Sequence, residues 1–230
     1  MKFSIVIPTC NRWPLLQRCI DSVISNTADL SSVEIIVVSN GCTDGTPELV
    51  TSTYKNYPVK VIHWPERLGY SGAGNVGFNV AKGDYIVRLD SDVVVLGPTW
   101  LNNLVEPFLK YPTAGISGPS MVPVGDQSVY AADCIVFFCA MIKREVFNRI
   151  GFLDPVFNNG GGEDTDFSIR AIKAGYTVHR AVMVGPNMEE SFPLFHEPEM
   201  HRGGESYEKV KHKEVCAKIL ENRYGRVRIL

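Results

Sequence analysis

The chain has 230 residues, 45% of them hydrophobic and 21% charged, with a formal net charge of −2. That length suits one α/β domain, and that apolar fraction supports a substantial core, which excludes a disordered or low-complexity chain. A nearly balanced charge gives no global electrostatic reason to bind nucleic acid or anionic lipid.

The first half reads as strand, loop and helix in repetition. KFSIVIP (2–8) is short and β-branched, as a buried strand is. Asn11 is placed to cap the following helix, and Pro14 falls near its first turn, where a missing N–H does no harm. Leu15, Leu16, Cys19, Ile20, Val23 and Ile24 then recur at helical spacing. VEIIVVS (33–39) and VKVIHW (59–64) are further buried strands, SGAGNVGFNVAK (71–82) a Gly-rich helix and DYIVRLD (84–90) a fourth strand. Such alternation predicts a mostly parallel sheet with helices on both faces. Ligands of such sheets bind beyond the carboxyl ends of the strands. PTCNR, NGCTDGT and DSD all fall at those ends.

In the second half, AGISGP (114–119) reads as a short strand and DCIVFFCAMI (133–142) as a central one. KREVFNRIG (143–151) reads as a short helix closed by glycine. NNGGGEDTDFSIRAIKAGY (158–176) is a Gly-rich loop feeding a helix, with Asp164 or Thr165 as its cap. YTVHRAVMV (176–184) is a further strand, and ESYEKVKHKEVCAKILENRYG (205–225) an amphipathic helix. With no repeat or low-complexity linker, one compact domain is expected. The six cysteines, at 10, 19, 42, 134, 139 and 216, form no CxxC pair, which predicts reduced thiols in a cytoplasmic protein. No basic leader with an apolar stretch opens the chain, and no apolar run reaches bilayer length. Membrane contact would be peripheral. The last helix could dock on a membrane or a second subunit in a homodimer, though its mixed charges fit a solvated face equally.

Two acidic groups stand out. Asp90 and Asp92 close a hydrophobic strand on the same side, where two carboxylates can hold a hard divalent cation, Mn²⁺ or Mg²⁺. A solvated strand end is the plainer alternative. Arg88, two residues back, shares a face with Asp90 and can pair with it. Glu163, Asp164 and Asp166 follow three glycines at a helix start. The helix dipole alone would favour acids there, but a positioned carboxylate can also take a proton from a hydroxyl nucleophile.

Taken together the motifs resemble glycosyltransferase family 2, inverting enzymes of the GT-A fold. SIVIPTCNR is similar to the family's first strand and turn. VVSNGCTDGT (37–46) is similar to its nucleotide loop, usually VVDDGSTDGT or VVDNGSTDGT. RLGYSGAGNVGF (67–78) resembles the NxGFAGGNNxG segment of rhamnosyltransferase-like members, RLDSDVVV (88–95) the metal motif, and FLDPVFNNGGGEDTDFSIRAIKAGY (152–176) the segment with the catalytic ED pair. The resemblance runs to about residue 210.

It implies roles. Pro8, Thr9, Arg12, Arg67 and Asn75 border the nucleotide, Asn40 meets the base, and Asp90 and Ser91 lie near the ribose. Asp92 holds the metal, joined by His201 of HRGGES, which is similar to the family's HxxGxS, with His196 in reserve. Asp164 is the base, Glu163 and Asp166 shape its surroundings, and Arg170 braces the cluster. A nucleoside-diphosphate sugar, by default a UDP-sugar, would pass its sugar to an acceptor hydroxyl in a single inverting displacement. Residues 1–118 would form the donor half, 119–204 the acceptor and catalytic half, and 205–230 a terminal helix and tail. Asn40 stands where the family often has Asp, which leaves the base open. Gly161 and Gly162 replace an aromatic that would wall the sugar site.

Two other functions remain. A nucleotidyltransferase would carry a Gly-rich loop with Arg and Lys after the first strand, where this chain has PTCNRWP. A non-catalytic nucleotide-sugar-binding module would need neither acidic pair. A dehydrogenase would need GxGxxG after the first strand, which is absent.

Overall fold

Ile35, Ile36, Val37 and Val38 are apolar on both faces of one strand, so that strand can be satisfied only in a sheet covered on both sides. A computed structural model describes residues 1–119, 134–181, 194–196 and 207–225. In it, β1 (Phe3–Thr9), β2 (Val33–Asn40), β3 (Val59–Trp64) and β4 (Tyr85–Leu89) are joined through α1 (Trp13–Ser25), α2 (Thr46–Thr53) and α3 (Gly69–Val80). The chain continues through β5 (Val93–Val95), α4 (Trp100–Lys110), β6 (Ala114–Gly118), β7 (Cys139–Lys143) and α5 (Arg144–Ile150). It ends with α6 (Glu163–Lys173), β8 (Thr177–Arg180), β9 (Leu194–His196) and α7 (Tyr207–Tyr224).

The main sheet has the order β3-β2-β1-β4-β7-β6-β8. β1 pairs parallel with both β2 and β4, Ile5 lying opposite Ile35 and Val87. Only β7 runs against its neighbours β4 and β6. Alternate residues feed two cores. Ile5, Ile7, Ile35 and Val37 pack with Leu16, Val50, Trp100 and Leu104 on one face. Val6, Ile36 and Val38 pack with Phe78, Phe147 and Phe167 on the other. The result is a central, mostly parallel sheet between two helical layers. A small third cluster joins Phe157 to Cys216 and Leu220 of α7. Among the described residues, no helix is long and apolar enough to cross a membrane.

Several local expectations change. Asn11 does not cap α1. The N-cap is Arg12, and Asn11, at φ +51°, instead accepts the Thr43 N–H at 2.7 Å. The residue is one of the few that tolerate that backbone region. The helix after the three glycines starts earlier than expected, with Gly162 as N-cap and Asp164 inside the first turn. In the run 133–142 the strand begins only at Cys139, although Ile135, Phe137 and Phe138 are buried. An apolar run reports burial, and only the ladder decides strand. α2, α4, β5 and β9 carried no signal strong enough to be read.

Candidate active site

β4 ends at Leu89, and the next three residues turn tightly, the Val93 N–H returning to the Asp90 carbonyl at 3.2 Å. Asp90, Ser91 and Asp92 are all buried. Isolated buried carboxylates are costly, so each needs a partner. Asp90 Oδ1 lies 2.9 Å from Arg88 Nη1, and its Oδ2 accepts the Tyr70 hydroxyl at 2.6 Å. The Arg88 guanidinium stands 5.0 Å from the centre of the Tyr70 ring. Asp92 Oδ2 pairs with Arg12 Nη1 at 3.1 Å, across from the start of α1. Beneath them Cys19 donates its thiol toward the Asp90 carbonyl at 3.6 Å, and burial, then the charges of Asp92 and Asp90, push that thiol well up.

Two hard oxygen donors fit Mg²⁺ or Mn²⁺ in kind. Asp90 is engaged through both oxygens and Asp92 through its pair with Arg12. Among the described residues no group of three or more His, Cys, Asp or Glu could hold a metal. His201 lies outside the described residues. The backbone of His196 pairs with Val93 where β9 meets β5, one residue from Asp92.

The loops after β1 and β2 are stitched together. The Asn11 N–H reaches Cys42 Sγ at 3.3 Å, and the Cys42 thiol points to the Thr9 carbonyl at 3.6 Å. Thr9 is buried and its Oγ1 has no partner among the described residues, while Pro8 beside it is half-buried. Asn40 is buried, and its amide braces the next loop, taking the Leu68 N–H at 2.7 Å and giving to the Gly69 carbonyl at 3.3 Å. Asn40 therefore fixes the loop that opens α3. Arg67, on that loop, is exposed. Asn75 turns to the loop after α5: its amide oxygen takes the Leu153 N–H at 3.0 Å and its nitrogen gives to the Leu153 carbonyl at 2.8 Å. That pairing fixes α3 against residues 152–158.

The acidic pair begins α6. Gly160, Gly161 and Gly162 have φ of +85°, +99° and +101°, a run that side chains would resist. Glu163 Oε2 turns back to the Gly161 N–H at 2.7 Å, and Asp164 Oδ1 accepts the Thr165 N–H at 2.7 Å. Burial first, then the neighbouring Asp164 charge, raises Glu163 above the usual carboxyl range. Burial likewise raises Asp164, outweighing the N–H groups that favour its charged form. Asp166 is fully buried, with Arg170 Nε at 2.8 Å from its Oδ2.

Tyr70 joins the two halves of the site, and sequence reasoning missed it. Its N–H bonds the Asn158 carbonyl, and the Gly72 N–H donates to Asn158 Oδ1 at 2.8 Å, so the start of α3 is clamped to the loop before α6. A side chain added at Gly160 would lie 4.0 Å from the Tyr70 ring. The Arg88 charge favours the Glu163 carboxylate, and Glu163 disfavours ionisation of the Tyr70 phenol. Burial, then Asp90, pushes that phenol well above its ordinary range, so it stays a donor. The acidic turn after β4 is therefore linked, through Tyr70, to the loop that leads into the acidic start of α6. The only hint in the chain was an aromatic with a polar tip inside a glycine-rich helix start.

Residues 4–133 match the model of Glycosyl transferase family 2. The uncharacterized glycosyltransferase YibD of Escherichia coli is 34% identical over 208 residues, 76% of this chain and 59% of that protein. Glycosyltransferase GlyG of Streptococcus pneumoniae is 34% identical over 93 residues, and the match spans only 30% of its length. Among solved structures, the mannosyltransferase PcManGT of Pyrobaculum calidifontis, in complex with GDP-Man and Mn²⁺, superposes with a TM-score of 0.69 at 24% identity, over 81% of this chain and 55% of its own. GalNAc-T7 with UDP, GalNAc and Mn²⁺ superposes with a TM-score of 0.73 at 20% identity, over 97% and 49%. At such identities the likeness speaks for the fold, which is GT-A.

Proposed function

The chain belongs to glycosyltransferase family 2, and from that premise we propose that it moves a sugar from a nucleoside-diphosphate donor to an acceptor hydroxyl, with inversion. The observation that carries this reading is the bridge made by Tyr70, whose hydroxyl binds Asp90 while its ring borders Gly160 beside Glu163 and Asp164.

In this reading the nucleotide lies over the ends of β1 to β4. Pro8 and the orphaned hydroxyl of Thr9 border it, Arg12 and Arg67 face its phosphates, and Asp90 and Ser91 sit by the ribose. Asn40 holds the loop against which the base rests. UDP is the default base carrier; GalNAc-T7 was solved with UDP and PcManGT with GDP-Man, so guanosine stays in the test set. Asp92, with His201 or His196, would hold Mn²⁺ or Mg²⁺. When bound, such an ion supplies positive charge against the departing diphosphate.

The protein's own part is positioning and proton transfer. Asp164 takes the acceptor proton as the new glycosidic bond forms and the bond to the diphosphate breaks. A carboxyl raised by burial is a stronger base than an exposed one, which suits a weak hydroxyl nucleophile. Glu163, tied to Gly161, keeps the turn in shape. Arg12 adds positive charge near the leaving group, while Arg88 balances the buried Asp90. None of the six cysteines is in a disulfide, which supports work in a reducing compartment such as the cytoplasm.

The direct test is Asp164→Asn. Transfer should fall by roughly 10²–10⁴-fold, the usual worth of a general base, while nucleotide binding stays unchanged. Full transfer by that variant would remove Asp164 from the reaction.

A further inference from the structure

Gly161 and Gly162 stand where the resemblance puts an aromatic, and α7 occupies the space that they leave. A side chain at Gly162 would come within 3.1 Å of Phe157 and 3.2 Å of Leu220, and one at Gly161 within 3.6 Å of Lys213. Leu220 and Lys213 both belong to α7, so that helix lies directly on the turn before Glu163. Its last turn reaches deeper. Arg223 Nη1 donates to Asp166 Oδ1 at 3.1 Å and to Asp154 Oδ2 at 2.8 Å. The Tyr224 hydroxyl donates to the same Asp166 oxygen at 2.8 Å. Asp166 has no exposure, so its charge depends on these donors and on Arg170. Asp154 belongs to the same loop as Leu153 and Asn158, which clamp α3. Arg223 thus ties together the helix that carries Glu163 and Asp164 and the loop that sets Tyr70.

We propose that α7 is a latch on the catalytic turn, and that Arg223 and Tyr224 are positioning residues acting through Asp166. They hold Glu163 and Asp164 toward the cleft, and α7 restores the wall that the glycines remove. The catalytic consequence rests on the reading of Asp164 as base; the mechanical claim does not.

The test uses the full chain with Tyr224→Phe, Arg223→Ala and the double variant. Tyr224→Phe removes only the hydroxyl and keeps the ring, which lies 4.6 Å from the Lys173 ammonium. Amide hydrogen exchange of residues 160–166 should speed up roughly tenfold in the double variant, with β1, β2 and β4 unchanged. In hydrolysis of UDP-glucose and GDP-mannose with Mn²⁺, kcat should fall roughly tenfold with KM within about twofold. Unchanged exchange in 160–166, an equal rise throughout the central strands, or a raised KM at constant kcat would overturn the latch. Asp164→Asn is assayed beside them. If it hydrolyses donor normally, the base assignment fails, and exchange alone decides the latch. If the double variant does not fold, Tyr224→Phe gives the same local readout.

Discussion

Glu163 and Asp164 start a helix, where the dipole favours a carboxylate, yet burial holds both above the usual carboxyl range. A carboxyl whose pKa is raised in the folded state binds more protons there than in the unfolded chain. Its contribution to stability is full below the unfolded pKa and is lost as pH rises through the folded one. Glu163→Gln removes the buried charge but keeps an oxygen for the Gly161 N–H. Its melting temperature should exceed the parent's at pH 8 by roughly 2–4 °C, as expected for about 1 kcal/mol in a chain of this size. The gain should vanish near pH 4. Melts across that range check it, and an equal difference at both ends would refute the assignment. Pairing of Arg88 with Asp90 was legible from the period of two. The third member, Tyr70, was not, because it arrives from another element, 20 positions away in the chain.

At the scale of elements, α3 shows how a site is set by a helix start. Gly69 has φ +78°, and a Cβ there would overlap the Asn158 carbonyl. Neither strain can be relieved by a side-chain rotation, since both involve backbone. Gly69→Ala should cost roughly 2–3 kcal/mol and, by parting Asn158 from Tyr70, should also weaken nucleotide binding. Denaturant melts together with binding measurements distinguish this from a harmless substitution, for which neither would change. The Gly-rich segment 71–82 was legible as a helix, but its earlier start at Gly69 and the need for glycine there were not. That need comes from Asn158, in a loop far downstream in the chain. The caps went the same way: Asn11 and Asp164 have capping chemistry, but loop–loop bonds and the left-handed glycines claim those places first.

For the whole molecule, the reading of a nucleotide site at one sheet edge has a direct measurement. UDP, GDP and dTDP are each added with and without Mn²⁺, and the melting temperature is followed. One base should raise it by roughly 5–10 °C at about a hundredfold excess over Kd, and only with the ion present. No rise with any of them would count against the donor assignment. What the sequence by itself determined is the alternation of β1 to β4 with α1 and α3, the edge where polar loops gather, and the two acidic pairs. Those follow from periodicity and from strand ends, which are local properties. Only the tertiary structure decided which carboxylates are held by what. Tyr70 on Asp90, Arg12 on Asp92, Asn75 turned to Leu153, and Arg223 with Tyr224 on Asp166 are contacts between distant segments. Partner choice of that kind is fixed by packing and by the need of each buried charge for a donor, and neither leaves a periodic trace in the chain.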